Sequence, residues 1–444
     1  MVLPPSPEAA PLPPLEPRLQ RRYQHLVKEH LQVAQRVAAG LNALPGSGQS
    51  FASTQAAWRF YQNPTVTLPD LAQPLLAQVR QAVTTECDDY VLVMHDWSHL
   101  NYNQHTRKQD RMQLGHSHDH GYELQSALAV SDRHGAPLGS VWQNVVGAQG
   151  SQSTGAAEPR PAPARLDELA GRMAALEGLQ LGRPLVHIID READSVGHQR
   201  AWSQWLYVVR AKGGARVQAA GQTQKLQEVH RQLKQQGALK DCGAVEFHGR
   251  PARQYVAEAP VELTRPARPH RKGHKREVVP GPPLRLRLIV SEVRDAAGQV
   301  LAVWLLLSNV GAEVSGVTLA RWYYWRWRIE SFFKLLKSAG QCVEQWQQHT
   351  ALALAKRLLV ASAACLLVWR LQRDPHPEAV ILRQVLVRLS GRQMKRGRGS
   401  TTSALLEGLW VLLAMLDWLA QEELSRLKSL VEKTPATAWL IASP

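Results

Sequence analysis

Two uninterrupted apolar runs constrain this 444-residue chain more than anything else in it: Tyr90-Val-Leu-Val-Met-His95 and Pro184-Leu-Val-His-Ile-Ile189. A short apolar run without alternation reads as a strand covered on both faces, the kind found in the middle of an α/β sheet. Each run leads directly into an aspartate, Asp96 and Asp190, which places both at strand ends. Leu124–Val130 and Pro137–Val145 read as two further strands joined by the turn Asp132-Arg-His-Gly135, an antiparallel meander. Leu166–Glu177 has helical spacing. Trp205–Arg210, Leu284–Val290 and Val300–Leu307 return to strand patterns, so the fold class is α/β with a mixed sheet. Residues 211 to 283 are polar, basic and irregular, and read as an insertion rather than core.

A second stretch carries the chemistry. Gly316 to Lys337 reads as one helix, with Tyr323, Arg326, Glu330, Lys334 and Lys337 within a sector of roughly 80° at about 100° per residue. Trp325, Ile329, Phe332 and Leu336 fall on the opposite face. One face is therefore apolar, and the other surrounds a single carboxylate with cations. A surface helix usually mixes charges of both signs; this one suits an anionic polymer beside a metal ion.

The whole chain points the same way. Its formal net charge is +16, beyond what solubility requires, and it implies nucleic acid or an anionic surface. Four cysteines, Cys87, Cys242, Cys342 and Cys365, form no CxxC pair, so neither a zinc knuckle nor a disulfide framework is indicated and a reducing cytoplasm fits. The start has no signal-peptide pattern, and the longest uncharged apolar run, Leu358 to Trp369, is too short to span a bilayer; no membrane partner is expected. Fourteen tryptophans leave some available for base stacking.

Three carboxylates, Asp96, Asp190 and Glu330, could meet where two strand ends lie beneath a helix. So close together they repel unless a divalent cation separates them, and an all-oxygen site suits Mg2+ or Mn2+. Two such ions about 3.5–4 Å apart activate a water or a 3′-hydroxyl and stabilise the leaving oxygen of a phosphodiester. Each acid also has a plain role: Asp96 as a turn residue, Asp190 as a helix cap, Glu330 as the partner of Lys334 at i+4.

Tyr323, Arg326, Glu330 and Lys337 spell Y-x-x-R-x-x-x-E-x-x-x-x-x-x-K. This resembles the signature of the bacterial insertion sequence 4 family of DDE transposases, the Y-R-E-K group. Asp190-Arg-Glu-Ala-Asp194 resembles the family's second-aspartate motif, and His95-Asp-Trp-Ser-His-Leu-Asn-Tyr102 the strand carrying the first, although Trp97 and His95 depart from the usual small or acidic flanks. The resemblance extends over residues 50 to 375 or so. It implies an RNase H-like core interrupted by a mostly β insertion, with Asp96, Asp190 and Glu330 binding the metal ions. Tyr323, Arg326, Lys334 and Lys337 would hold phosphates at the cleaved end, Arg210 would lie near the site, and Trp304 would take up a flipped base. The activity implied is cut-and-paste transposition: nicking, 3′-hydroxyl attack through a hairpin, and strand transfer. Its partners would be double-stranded DNA, both terminal inverted repeats and target, bound by a homodimer in the bacterial cytoplasm at the nucleoid. The alternative is a catalytically silent descendant that binds DNA as an inhibitor.

The expected organisation is a disordered Pro-rich tail over 1–16, a helical DNA-binding unit over 17–86, a catalytic core over 87–345 with its insertion near 211–300, and a helical region over 346–444 that dimerises. The amino-terminal unit is read as helices over 16–44, 55–62 and 70–84, with Ser53 or Thr54 as the cap of the second. Two features read as decoys: His116-Ser-His-Asp-His120 as a hairpin tip rather than a metal site, and the basic run 265–276 as a solvated loop that could also touch phosphate.

Overall fold

A computed structural model describes residues 16–32, 50–247, 249–268, 278–393, 400–419, 424–426 and 429. The tail over 1–15, residues 33–44 of the first predicted helix, residues 45–49, most of the basic run 265–276, and, within the helical region over 346–444, residues 394–399 and most of those after 419 lie outside them.

In chain order the elements are α1 (Pro17–Gln32), α2 (Ser50–Gln62), α3 (Leu68–Glu86), β1 (Val91–Asn101), β2 (Met112–Gln113), β3 (His120–Ser131), β4 (Pro137–Gly147) and β5 (Gly150–Ser153). Then come α4 (Arg165–Glu177), β6 (Leu185–Ile189), α5 (Val196–Ala201), β7 (Leu206–Arg210), β8 (Arg216–Ala219), β9 (Gln222–Lys225), α6 (Leu226–Gln235), β10 (Lys240–Phe247) and β11 (Arg250–Leu263). The chain continues with β12 (Leu284–Arg294), β13 (Val300–Ser308), α7 (Gly316–Tyr324), α8 (Trp327–Lys337), α9 (Ala351–Arg373), α10 (Pro377–Leu389) and α11 (Thr402–Leu419). Two compact units share these elements. The first contains Ala72–Ser98 and Leu124–Ser331; the second contains His99–Glu123 with the described residues before Ala72 and after Ser331.

The expected mixed sheet is present. Its order is β5-β4-β3-β1-β6-β7-β13-β12-β11-β8-β9, with β10 on β11 and β2 on β3. β1 and β6 run parallel, Val91 opposite Leu185 through Met94 opposite Ile188. β6 and β7 are parallel too, Ile189 opposite Val209. Parallel neighbours need a long crossover, and α4 and α5 lie in the two connections. Leu169 and Met173 of α4 are fully buried in a core that also holds Ile189, Trp202, Tyr207 and Val209, and Leu176 on the same helix face is fully buried too. That burial on both faces explains why β1 and β6 carry no alternation.

Four sequence expectations need correction. Asp96 lies inside β1, not at its end, because the strand continues five residues past it to Asn101. The region after residue 211 is not irregular: β8 and β9 form a hairpin whose turn is Ala220-Gly221, both with positive φ (49° and 78°), as a tight two-residue hairpin turn requires. β10 and β11 then join the expected strands β12 and β13 in a continuous antiparallel ladder; β11 is hidden because its buried Ala252, Gln254 and Val256 alternate with exposed Arg253 and half-buried Tyr255. The second helix begins at Ser50, ahead of the expected cap at Ser53 or Thr54. Finally, Gly316–Lys337 is two helices, α7 and α8, separated at Trp325-Arg326. The i−3 hydrogen bonds Arg326 N–H to Tyr323 C=O and Arg328 N–H to Trp325 C=O tighten the chain there.

Among the described residues one helix, α9, is long and apolar enough to cross a membrane, with a mean hydropathy of 2.0 in its best window, but 89% of that window is buried. It is apolar on all sides because α1, α2 and α11 of the same unit pack around it. Two of its charged members, Lys356 and Arg357, are buried as well, and Lys356 Nζ donates to the Asn63 carbonyl at 2.8 Å.

Two outcomes follow from this packing. Gly135, at φ +65°, closes the β3–β4 turn, and a Cβ there would stand 2.4 Å from the Trp325 ring. Gly135→Ala is therefore expected to cost about 2–4 kcal/mol in chemical denaturation; a loss below about 0.5 kcal/mol would show that the turn does not clamp the α7–α8 break. Burial lowers the Lys356 amine to about 8. The unfolded chain then binds the extra proton between pH 8 and 10.5, so this amine opposes folding below pH 8 and the penalty fades as pH rises through that window. Lys356→Met should raise the melting temperature more at pH 7.5 than at pH 10, and an equal difference at both pH values would contradict the assignment.

Candidate active site

The site forms where three neighbouring strands of the first unit end their pairing. The β1–β6 register, continued two residues past Met94 and Ile188, puts Asp96 level with Asp190. The β6–β7 register, continued one residue past Ile189 and Val209, puts Asp190 level with Arg210. Residues at the same level of adjacent parallel strands point to the same face, so two acids and a base form a row. Leu306 of β13 stands opposite Arg210, with Trp304 two residues before it on the same strand.

The α7–α8 segment delivers three more groups, Tyr323, Arg326 and Glu330. Arg326, only 6% exposed, reaches two acids at once: one terminal nitrogen is 3.1 Å from Asp96 Oδ2 and the other 2.6 Å from Glu330 Oε1. The Tyr323 hydroxyl donates to Asp190 Oδ1 at 3.0 Å, and Arg210 stands 3.9 Å from the same oxygen. Asp96 also accepts the Trp97 N–H at 2.8 Å. Arg326 thus bridges Asp96 and Glu330, whereas Asp190 has its own donors in Tyr323 and Arg210 and feels the guanidinium only through its charge.

The break explains the geometry. On one straight helix, Tyr323 and Arg326 would share the solvent face with the lysines. Here Tyr323 and Arg326 are buried, while Glu330 keeps partial exposure and Lys334 is exposed. Lys334 and Lys337 belong to the second unit, where Lys337 Nζ donates to the His99 carbonyl at 2.7 Å and pairs with Glu344 at 3.2 Å. Trp304 is 4% exposed, packed against Tyr323 and Tyr324 with ring centroids 5.8 and 6.3 Å away.

Electrostatics separate the two aspartates. Burial pushes the Asp96 carboxyl up to about 6, outweighing the Arg326 guanidinium and the Trp97 N–H that pull it down. Burial acts on Asp190 too, but Arg326, the adjacent Arg191 amide, the Tyr323 hydroxyl and Arg210 together hold it below the usual carboxylate range. Asp190 makes no capping hydrogen bond to the turn that follows it, so the plain helix-cap role does not account for it. Burial likewise raises the Tyr323 phenol, with the Asp190 charge adding to it.

The donor set suits a hard divalent cation, since it offers carboxylate oxygens alone. Among the described residues no three His, Cys, Asp or Glu side chains stand close enough to enclose an ion as they are; Arg326 bridges Asp96 and Glu330. The acids would hold a cation once that bridge opens. The His116–His120 tract is the tip of a β2–β3 hairpin, with Gln113 opposite His120, as its sequence suggests. Behind Asp96 lies a group that the sequence reading passed over. His95 and His187, both fully buried, share a hydrogen bond of 2.8 Å, and His187 reaches Glu177 at 3.1 Å. Two histidines inside apolar strand runs were the signal for it.

No family model matches the chain, and no curated protein matches it. Among solved structures, a piggyBac transposase synaptic complex with hairpin DNA is similar to it, with 10% sequence identity over 91% of this chain and 73% of that chain and a TM-score of 0.34. A likeness at that score carries no argument, and the geometry above stands by itself.

Arg326→Met removes the counter-charge shared by Asp96 and Glu330. A loss of about 2–3 kcal/mol in urea denaturation is expected, at the low end for a broken buried pair because Glu330 is 37% exposed. Unchanged stability would mean that the bridge does not hold the acids together.

Proposed function

We propose that the chain is a metal-dependent DNA transposase of the insertion sequence 4 kind. The observation that carries this reading is the gathering of Asp96, Asp190 and Glu330, from three segments far apart in sequence, around one buried arginine. Structural ion pairs rarely need three acids from a strand, a strand end and a helix about one cation. A site that cleaves a polyanion with metal ions needs them. The strand order, with β3 and β4 on one side of β1 and parallel β6 and β7 on the other, supports the RNase H-like reading of the core.

In this reading Asp96, Asp190 and Glu330 hold one or two Mg2+ or Mn2+ ions. When bound, these ions supply an activated water or 3′-hydroxyl and charge stabilisation at the leaving oxygen. The chain's own groups do the rest. Arg326, released from its two acids, meets the phosphate beside the cut as a bidentate donor. Arg210, level with Asp190, neutralises a second phosphate oxygen, and the Tyr323 hydroxyl fixes the Asp190 carboxylate while the strand moves in. Lys334 and Lys337 hold phosphates further along. Trp304 offers a ring to an unstacked base if Tyr323 and Tyr324 give way, which a hairpin route would use. Residues 17–86 would bind the transposon ends and residues 346–444 would pair two copies of the chain, in a bacterial cytoplasm at the nucleoid.

A labelled duplex carrying the ends that flank this chain's own gene tests the reading. With Mg2+ the protein should nick at the element boundary, and Asp190→Ala or Glu330→Ala should reduce nicking by at least about 1,000-fold while leaving DNA binding within a few-fold. Binding by both proteins with no cleavage at any Mg2+ or Mn2+ concentration would move the chain to the silent, DNA-binding reading.

A further inference from the structure

A second basic feature begins where the acid site stops. From Asp190 the chain makes one short turn, Arg191–Ala193, and reaches Asp194; from Arg210 it runs two residues to Lys212. Asp190 and Arg210 belong to the acid site, whereas Asp194 and Lys212 line an open cleft of about 1020 Å³. The start of α4, the 192–198 segment, the 212–216 loop and residues 265–268 form its walls, all within the first unit.

Five cations line the cleft: Arg165, Lys212, Arg216, Arg265 and Arg268. The acids there are already engaged. Glu192 pairs with Arg165 at 3.3 Å, and Asp167 takes the His198 Nε2 at 3.0 Å. Buried Asp194 accepts the Lys212 backbone N–H at 2.7 Å and the Gln199 amide at 3.1 Å, with Arg265 at 3.9 Å. Among the described residues, the side chains of Lys212, Arg216 and Arg268 have no partner, and the Arg265 Nε is buried without one. Three exposed cations and a half-satisfied arginine around a groove of this size suit a chain of phosphates better than one small anion, because the charges sit on separate walls. Ser195 Oγ lies 2.9 Å from His198 Nδ1, completing a Ser–His–Asp series with Asp167. A nucleophile relay depends on a buried aspartate. Asp167 is 67% exposed, so the series reads as rim structure.

We infer that this cleft is the track for the DNA strand on one side of the scissile phosphate, with Lys212, Arg216 and Arg268 contacting its phosphates. The inference rests on the proposed nuclease site, because the direction of the track is set by Asp190 and Arg210. It assigns a role to residues outside the three acids and the Y-R-E-K set.

The test uses the full chain with Lys212→Gln, Arg216→Gln and Arg268→Gln combined, and the charge-keeping set Lys212→Arg, Arg216→Lys and Arg268→Lys as a control for folding. Binding to a fluorescent duplex carrying the element's own end is measured by anisotropy across a salt series. Each phosphate contact contributes about 0.9 to the slope of log affinity against log salt, so the neutral set should lower the slope by about 2–3, and the charge-keeping set should restore it. Phosphate-ethylation interference on the same duplex should show that the neutral set loses signals beside the cut while those at the cut persist. Equal slopes and an unchanged interference pattern would overturn the inference and leave the nuclease reading intact. Absence of DNA binding by the parent protein would overturn both.

Discussion

Everything at the site depends on one buried guanidinium. Arg326 has two acids within hydrogen-bond reach, and a third is tied in through Tyr323 and Arg210. Three carboxylates this near one another are costly in the free protein, and burial alone would force protons onto them. Arg326, the Arg191 amide, the Tyr323 hydroxyl and Arg210 together offset that cost for Asp190, which stays easily ionised, whereas burial still dominates at Asp96. Arginine suits the position because its fork donates in two directions at once and keeps its charge in a dry setting.

The guanidinium is in place because the helix that carries it is broken. Had α7 continued into α8 without interruption, Arg326 would have followed the solvent face. The tight turn at Trp325-Arg326 instead drops the arginine toward β1, while the Trp325 ring lies against Gly135 in the β3–β4 turn. The meander edge, the helix break and the acid row are thus mechanically linked inside the first unit. A substitution at Gly135 carries no charge, yet it bears on the centre of the site.

The sequence disclosed most of this arrangement because its signals are local. Buried parallel strands announce themselves as continuous apolar runs, so β1 and β6 were legible together with the acids that follow them. The spacing of Tyr323, Arg326 and Glu330 was legible for the same reason. The break in the helix was not, since 321–337 has the periodicity of one unbroken helix, and the Trp325 ring at the break packs beside a glycine nearly two hundred residues earlier in the chain. The extent of β1 past Asp96 was hidden because Trp97, Ser98 and His99 end the continuous apolar run, yet they lie on a strand with a neighbour in β3. The antiparallel ladder after residue 211 was obscured by its charges: an edge region exposed on one face has no need of apolar runs. The His95–His187–Glu177 chain could be found only once the two strands were paired, because neither histidine has a partner close to it in sequence.

The central arginine also sets a condition on the chemistry proposed for the site. A cation entering between Asp96 and Glu330 must take over what Arg326 now does, and the arginine must then find another anion or remain buried and unpaired, which is strongly unfavourable. A DNA phosphate beside the acids provides that anion. Binding of the strand and binding of the metal ions are then linked, since each makes the other less costly, and the linkage holds in both directions. A site built this way stays neutralised in the free protein and becomes competent when both occupants arrive. In the proposed nuclease, the same bridge that pairs the two acids would also delay the chemistry until the substrate is in place.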